Sequence, residues 1–187
     1  MPSIVSHPAV ALGLAPWYRA LARRPGVIAV GVLLTILPDA DVIGFSFGIA
    51  YGDMLGHRGL THSIPFAIVV SAAVAGLTAW RTRLSWWLLW SYFALCTVSH
   101  GLFDALTNGG RGIALWAPFS NARFFFPWQP IAVSPIGIER FLSPRGAQVL
   151  MSELAWVWLP CLLLGLVGVC LRRLRARRLS SVTEHRQ

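Results

Sequence analysis

The sequence predicts an all-α protein, a polytopic membrane bundle of four to five transmembrane helices. A segment rich in Gly, Pro and aromatic residues caps its outer side. Three observations lead there. The 187 residues are 56% hydrophobic, with a mean hydropathy of +0.62. Only 12% are charged, about half the share of a typical soluble domain. All 16 basic residues are arginine, and most stand at the ends of long apolar stretches. The length suggests one domain, 1–187, with a transmembrane core over 3–171, an outer cap over 107–153 and a basic tail over 172–187.

The elements follow in order. Residues 3–18 form a short, weaker apolar stretch. They lack the basic n-region and cleavage site of a secretory signal, so the segment is read as retained. VIAVGVLLTIL (27–37) runs through PDAD into VIGFSFGIA (42–50), and Pro38 there predicts a kink or a helix end. IPFAIVVSAAVAGLTAW (64–80), LSWWLLWSYFALCTVSHGLFDALT (84–107) and LAWVWLPCLLLGLVGVCL (154–171) are the other long stretches. A tilted transmembrane helix needs roughly 17–25 residues. Ser63 and Pro65 suit the first turn of the helix that follows them.

Arginine orients the chain. Arg19, Arg23 and Arg24, then Arg81 and Arg83, then Arg172, Arg173, Arg175, Arg177 and Arg178 all fall on one side of such a bundle. The positive-inside rule makes that side cytoplasmic, with the C-terminus. Five crossings result if 3–18 is a short helix with its start outside, and four if it only lies on the surface. Five is the preferred count. The outer segment 107–153 carries Trp116, Phe119, Phe124, Phe125, Phe126 and Trp128 and suits a cap at headgroup depth. The arginine-rich tail suits anionic lipid. Membrane lipids are thus the expected partners, and the oligomeric state is left open.

The same pattern limits other classes. A net charge of +9 and a pI near 11.2 invite nucleic acid. No nucleic-acid motif is present and the arginines mark topology instead, so no nucleic-acid partner is expected. Cys96, Cys161 and Cys170 sit inside apolar stretches with no CxxC pair and read as buried hydrophobes.

Polar groups inside the apolar stretches carry the functional reading. Seven of them are His7, Asp39, Asp41, His57, His62, His100 and Asp104. Asp39 lies roughly 18 Å, and His100 roughly 24 Å, from the cytoplasmic start of its helix at 1.5 Å per residue. In the five-crossing bundle all seven fall in one layer, the outer third of the bilayer. Intramembrane ionisable groups are costly and mark function by default. His100 and Asp104 are i and i+4, on one helix face. Asp39 and Asp41 are i and i+2, on opposite faces of an intact α-helix, so one can be a ligand while the other holds a histidine. HRGLTHS (57–63) needs the turn at Gly59 to bring both rings inward. All seven are candidate metal ligands. His and Asp without Cys fit Zn²⁺ first, with Mn²⁺ or Fe²⁺ as alternatives, and one or two ions. Asp41 and Asp104 are also catalytic candidates, as an unliganded base or an orienting group. Arg58 is a candidate phosphate holder or a headgroup contact.

SHPAVALGLA, LPDADVI, HRGLTHS and SHGLFDALTNGGRGIALWAPFS, in this order, resemble the bacterial inner-membrane family of membrane-bound metal-dependent hydrolases (YdjM-like). The resemblance spans roughly residues 3–145. It implies metal-dependent hydrolysis at the membrane. The scattered His and Asp with one HxxxD also look like the ligand logic of zinc phospholipases C, which points to a phosphoester by analogy. The expected activity is hydrolysis of an ester or phosphoester on a lipid or lipid-linked substrate. The expected place is the inner membrane, with the site toward its outer face. The alternative is a transporter or metal-ion carrier using the same layer. A third reading has the polar layer only joining helices, and would tolerate His→Gln exchanges.

Overall fold

A computed structural model describes residues 1–21, 23–135 and 137–184. These residues form helices and connecting loops, with no strand among them. The order is α1 (Pro8–Leu14), α2 (Pro25–Ile36), α3 (Ile64–Thr82), α4 (Trp86–Ala105), α5 (Ile138–Phe141), α6 (Pro144–Glu153) and α7 (Leu159–Glu184).

Three helical runs are long and apolar enough to cross a membrane: Pro25–Phe47, Ile64–Thr82 and Pro144–Arg178. The stretch at 84–107 is helical over Trp86–Ala105. Its 20 residues reach about 30 Å, but three tryptophans, His100 and Asp104 dilute its apolar character. At the N-terminus the apolar helix covers only Pro8–Trp17. Ten residues reach about 15 Å, half of a bilayer's apolar core.

The bundle packs around α4. It lies against α3 and α2, and α1 packs between α2 and α7. Leu34, Leu89, Tyr92, Phe93 and Cys96 fill the space between α2, α4 and their neighbours. Small residues bring α1 and α7 together, as in membrane helix pairs generally. A Cβ on Gly13 would stand 2.6 Å from the Cys161 carbonyl oxygen, and Gly165 faces Gly13 from α7.

The arginine clusters meet at one end. Arg19, Arg23, Arg24 and Arg172 line one cleft there, and Arg23, Arg24 and Arg81 line another. At the opposite end the segment between α4 and α5 folds over the bundle as a cap. Backbone hydrogen bonds fasten it to Ala105, Leu106, Arg58 and Ile64. Its aromatics stay on the surface, with Phe119 83% and Trp128 57% exposed.

The N-terminal segment is held to this end by Glu153. Its carboxylate is fully buried and accepts from the backbone N–H of Ser3 and from the hydroxyls of Ser3 and Ser6, the last two at 2.6 Å. The π-helical turn Leu154–Trp158 explains the reach. Residues five apart diverge on an α-helix, but the wider turn aligns them. Trp158 therefore donates to the Ser6 hydroxyl, 2.8 Å away, beside Glu153. Glu153→Ala would strand three buried donors at about 1–3 kcal/mol each. The expected result is a clear fall in melting temperature, with proteolysis entering first before Pro8.

Candidate metal centre

α4 supplies His100 and Asp104, one turn apart and fully buried. Close approach at Gly101 lets the HRGLTHS loop reach them, because a Cβ there would stand 2.5 Å from the His62 carbonyl oxygen. Gly101→Ala should favour the helix by about 1 kcal/mol in isolation. Here it pushes His62 away. We expect retained helical content with metal affinity lowered at least about tenfold, as for other perturbations just outside a metal's ligands.

α2 does not continue as an α-helix through Pro38. It ends at Ile36 and passes into a 3₁₀ helix, Leu37–Phe47. At three residues per turn, Asp39 and Asp41 lie about 120° apart rather than on opposite faces. Both carboxylates can therefore face the same cluster from different sides.

Asp39, His62, His100 and Asp104 form one group. One ligand atom from each lies within 4.8 Å of the others, and all four residues are buried. His62 Nε2 and His100 Nε2 are 3.1 Å apart. Asp39 Oδ1 lies 3.3 Å from His100 Nε2 and 3.5 Å from His62 Nε2, and Asp104 Oδ2 lies 3.6 Å from His62 Nε2. The outer ring nitrogens fix the tautomers. His100 Nδ1 is 2.8 Å from the Thr35 carbonyl oxygen, which only accepts, so Nδ1 carries the proton. His62 Nδ1 faces Asp41 Oδ2 at 3.1 Å and carries its proton for the same reason. The two Nε2 atoms then face each other across the cluster, where a proton on His62 Nε2 or a metal ion can lie between them. Four carboxylate oxygens, from Asp39 and Asp104, are buried beside them and make no hydrogen bond. Arg58 pairs with Asp104 alone, so the charge on Asp39 is left for a further cation to offset. The pair of imidazoles and pair of carboxylates suits Zn²⁺, Mn²⁺ or Fe²⁺. Burial disfavours charge on His62, but Asp39, Asp41 and Asp104 outweigh it and raise its pKa to about 9. The cage favours a positive centre.

A second group, Asp41, His57 and His62, shares His62 through its other nitrogen. Asp41 accepts from His57 Nδ1 and Thr61 Oγ1, each at 2.7 Å, and from the Arg58 backbone N–H at 3.2 Å. The Gly59 turn folds the His57 and His62 rings edge to face, 5.3 Å apart. His7 stands at the rim of the first group. Its ring stacks on His100 at 3.8 Å, and its Nε2 lies 3.9 Å from Asp104 Oδ1. The amino group of Met1 is 4.0 Å from the same oxygen.

Arg58 is 1% exposed, and its positive φ of 64° turns the side chain inward. Its Nε lies 3.2 Å from Asp104 Oδ2, and its two terminal nitrogens donate to Thr107 Oγ1 and the Gly109 carbonyl oxygen. The guanidinium thus grips Asp104 and the loop after α4.

Sequence reasoning did not single out Thr35, Thr61, Thr107, Tyr51 or Arg123. Arg123 donates to the carbonyl oxygens of His57, Tyr51 and Asp53 and holds the histidine loop to the cap. Tyr51 packs edge-on to His57 at 5.1 Å. Only the position of Thr61, beside His62 in the polar motif, carried a signal.

No solved structure matches the chain. Inner membrane protein YbcI of Escherichia coli (strain K12) is 42% identical over 164 residues, which cover 88% of this chain and 95% of that protein. The family model described as YdjM inner membrane protein matches residues 1–176, a span that includes all seven His and Asp positions and every arginine cluster through Arg175. The chain belongs to the YdjM family of inner membrane proteins.

Proposed function

We propose that this protein is a metal-dependent hydrolase acting on an ester or phosphoester of a lipid or lipid-linked substrate. One observation carries the reading: two imidazole Nε2 atoms 3.1 Å apart among four buried carboxylate oxygens that make no hydrogen bond. Asp39, His62, His100 and Asp104 would hold the ion, zinc first, with manganese or iron as alternatives. When bound, such an ion supplies Lewis acidity to the scissile group and makes water a better nucleophile at neutral pH. The second group leaves room for another ion, but Asp41 is already engaged by its donors. Its better-supported role is to hold the Nδ1 protons of His57 and His62. With Nδ1 protonated, His57 offers Nε2 as a base. Arg58 pairs with Asp104 and aims it, and His7 closes the rim.

The arginine end is cytoplasmic in this proposal, the C-terminus with it, and the metal centre faces outward. The run Pro25–Phe47, α3, α4 and α7 cross fully in this reading, and α1 is a half-length fifth traverse running from His7 toward Arg19. That puts the reaction at headgroup depth, where the ester bonds of lipids lie.

A carrier built on the same residues needs a polar route toward the arginine end. Below His100 the space is filled by Leu34, Leu89, Tyr92, Phe93 and Cys96, which favours the enzyme. The test is turnover by Zn²⁺- or Mn²⁺-loaded protein in lipid nanodiscs, against a panel of phospholipids and acyl esters. Expected is release of one product class, reduced at least about 100-fold in Asp39→Asn. Loaded, folded protein that moves the ion across vesicles and cleaves nothing would favour the carrier.

A further inference from the structure

A groove of about 280 Å³ opens beside the metal centre, between the N-terminal segment, the 3₁₀ helix and the segment that leads into α5. Ile4, Val5, Val42, Pro135 and Phe141 form its apolar walls, Met1, Ser3 and Ser134 also line it, and Asp39 is the one charged side chain on it. Asp39 is 5% exposed, and neither of its oxygens meets a hydrogen-bond donor. The groove is therefore chemically two-ended, with hydrocarbon-like walls leading to one edge of the cluster. Its surroundings are apolar as well. Ile4 and Val5 are each about half exposed, Ile43 beside Val42 is 60% exposed, and Leu142 beside Phe141 is 80% exposed.

We infer that this groove holds an acyl or prenyl chain of a membrane lipid and sets the lipid's polar end against Asp39. Four features of the groove and its setting select that occupant. A polar soluble molecule lying along the five apolar side chains would lose water there and find few partners in return. An apolar chain gains from the burial. The volume sits at the lower edge of small-molecule sites, about 300–1,000 Å³, so it suits part of one chain rather than a whole lipid. Val42 and Asp39 also lie on the membrane-spanning run Pro25–Phe47, so the groove lies at the height of the bilayer. The assignment of Asp39 as the reactive edge rests on the proposed hydrolase; the chain site itself does not.

The test uses full-length protein in nanodiscs containing phosphatidylglycerol with a diazirine near the end of one acyl chain. After irradiation, labelled peptides are mapped, and metal content is measured on the same samples. The expected result is saturable labelling at Ile4, Val5, Val42 or Phe141, competed by unlabelled phosphatidylglycerol. Val42→Trp should lower it at least about tenfold with metal content unchanged, whereas Leu163→Trp on the exposed face of α7 should leave it intact. Labelling there that does not saturate, that matches the level at Leu163, or that joins two copies of the chain would overturn the chain site. Labelling needs no turnover, so saturable labelling combined with no cleavage of any lipid by the Zn²⁺- or Mn²⁺-loaded protein would sink the hydrolase and keep the groove.

Discussion

His100→Ala and His62→Ala are each expected to reduce bound metal from about one ion per chain to below about one tenth. Each removes one of two nitrogen donors from a four-residue set. His7, stacked on His100 with its Nε2 3.9 Å from Asp104 Oδ1, stands outside that set. Metal binding is folding energy in such sites, with apparent values of about 10–16 kcal/mol for structural zinc. Wild type should therefore melt at a much lower temperature after chelation, and both variants should melt alike with and without chelator. His100→Gln separates the rival readings. It keeps a donor for the Thr35 carbonyl oxygen, so a layer that only joins helices would survive it. A metal cage would not, because an amide supplies no imidazole lone pair.

Arg58→Ala is expected to be the most damaging change outside the ligands. It leaves Asp104 buried beside Asp39 with no guanidinium, and breaking a buried ion pair in this way costs about 3–5 kcal/mol. Arg58→Lys should not restore the protein, because Nε and both terminal nitrogens each face a different partner. The loss should depend on metal. A bound cation partly replaces the missing charge, so the drop in melting temperature should be larger in chelated protein than in loaded protein. Equal drops would mean that Asp104 takes no part in the metal site. Asp41→Asn is the milder companion. It leaves one accepting oxygen where His57 and His62 each use their own, so one of the two Nδ1 protons loses its acceptor, and a 10–100-fold loss of metal affinity is expected with the fold intact.

Much of this was legible in the sequence, and the reasons are physical. Arginine clusters at the ends of apolar stretches mark one face of a bundle, and they meet at one end. His100 and Asp104 were readable because an i, i+4 pair shares a face on any α-helix. The relation of Asp39 to Asp41 was not, because it depends on the change from α to 3₁₀ winding at Ile36. Pro38 signals an interruption without stating which geometry follows. The short first helix shows the limit of hydropathy: residues 3–18 read as one apolar stretch, yet the helix occupies only Pro8–Trp17, since Ser3 and Ser6 turn aside to Glu153. Glu153 and Arg58 were hard to place for a shared reason. A charge in a polar motif or at a helix junction looks solvated until its partners, far away in sequence, are known.

The proposed function depends on Asp39, His62, His100 and Asp104 holding one divalent ion. X-ray absorption on protein purified in mild detergent without chelator, then loaded with a single equivalent of Zn²⁺, reads that site itself. Expected is a saturable site with four nitrogen or oxygen neighbours at about 2.0–2.2 Å, two of them imidazoles, and no sulfur. One imidazole should vanish in His100→Ala. Folded wild-type protein that takes up no stoichiometric metal, or whose metal is bound by sulfur from Cys96, Cys161 or Cys170, would contradict it.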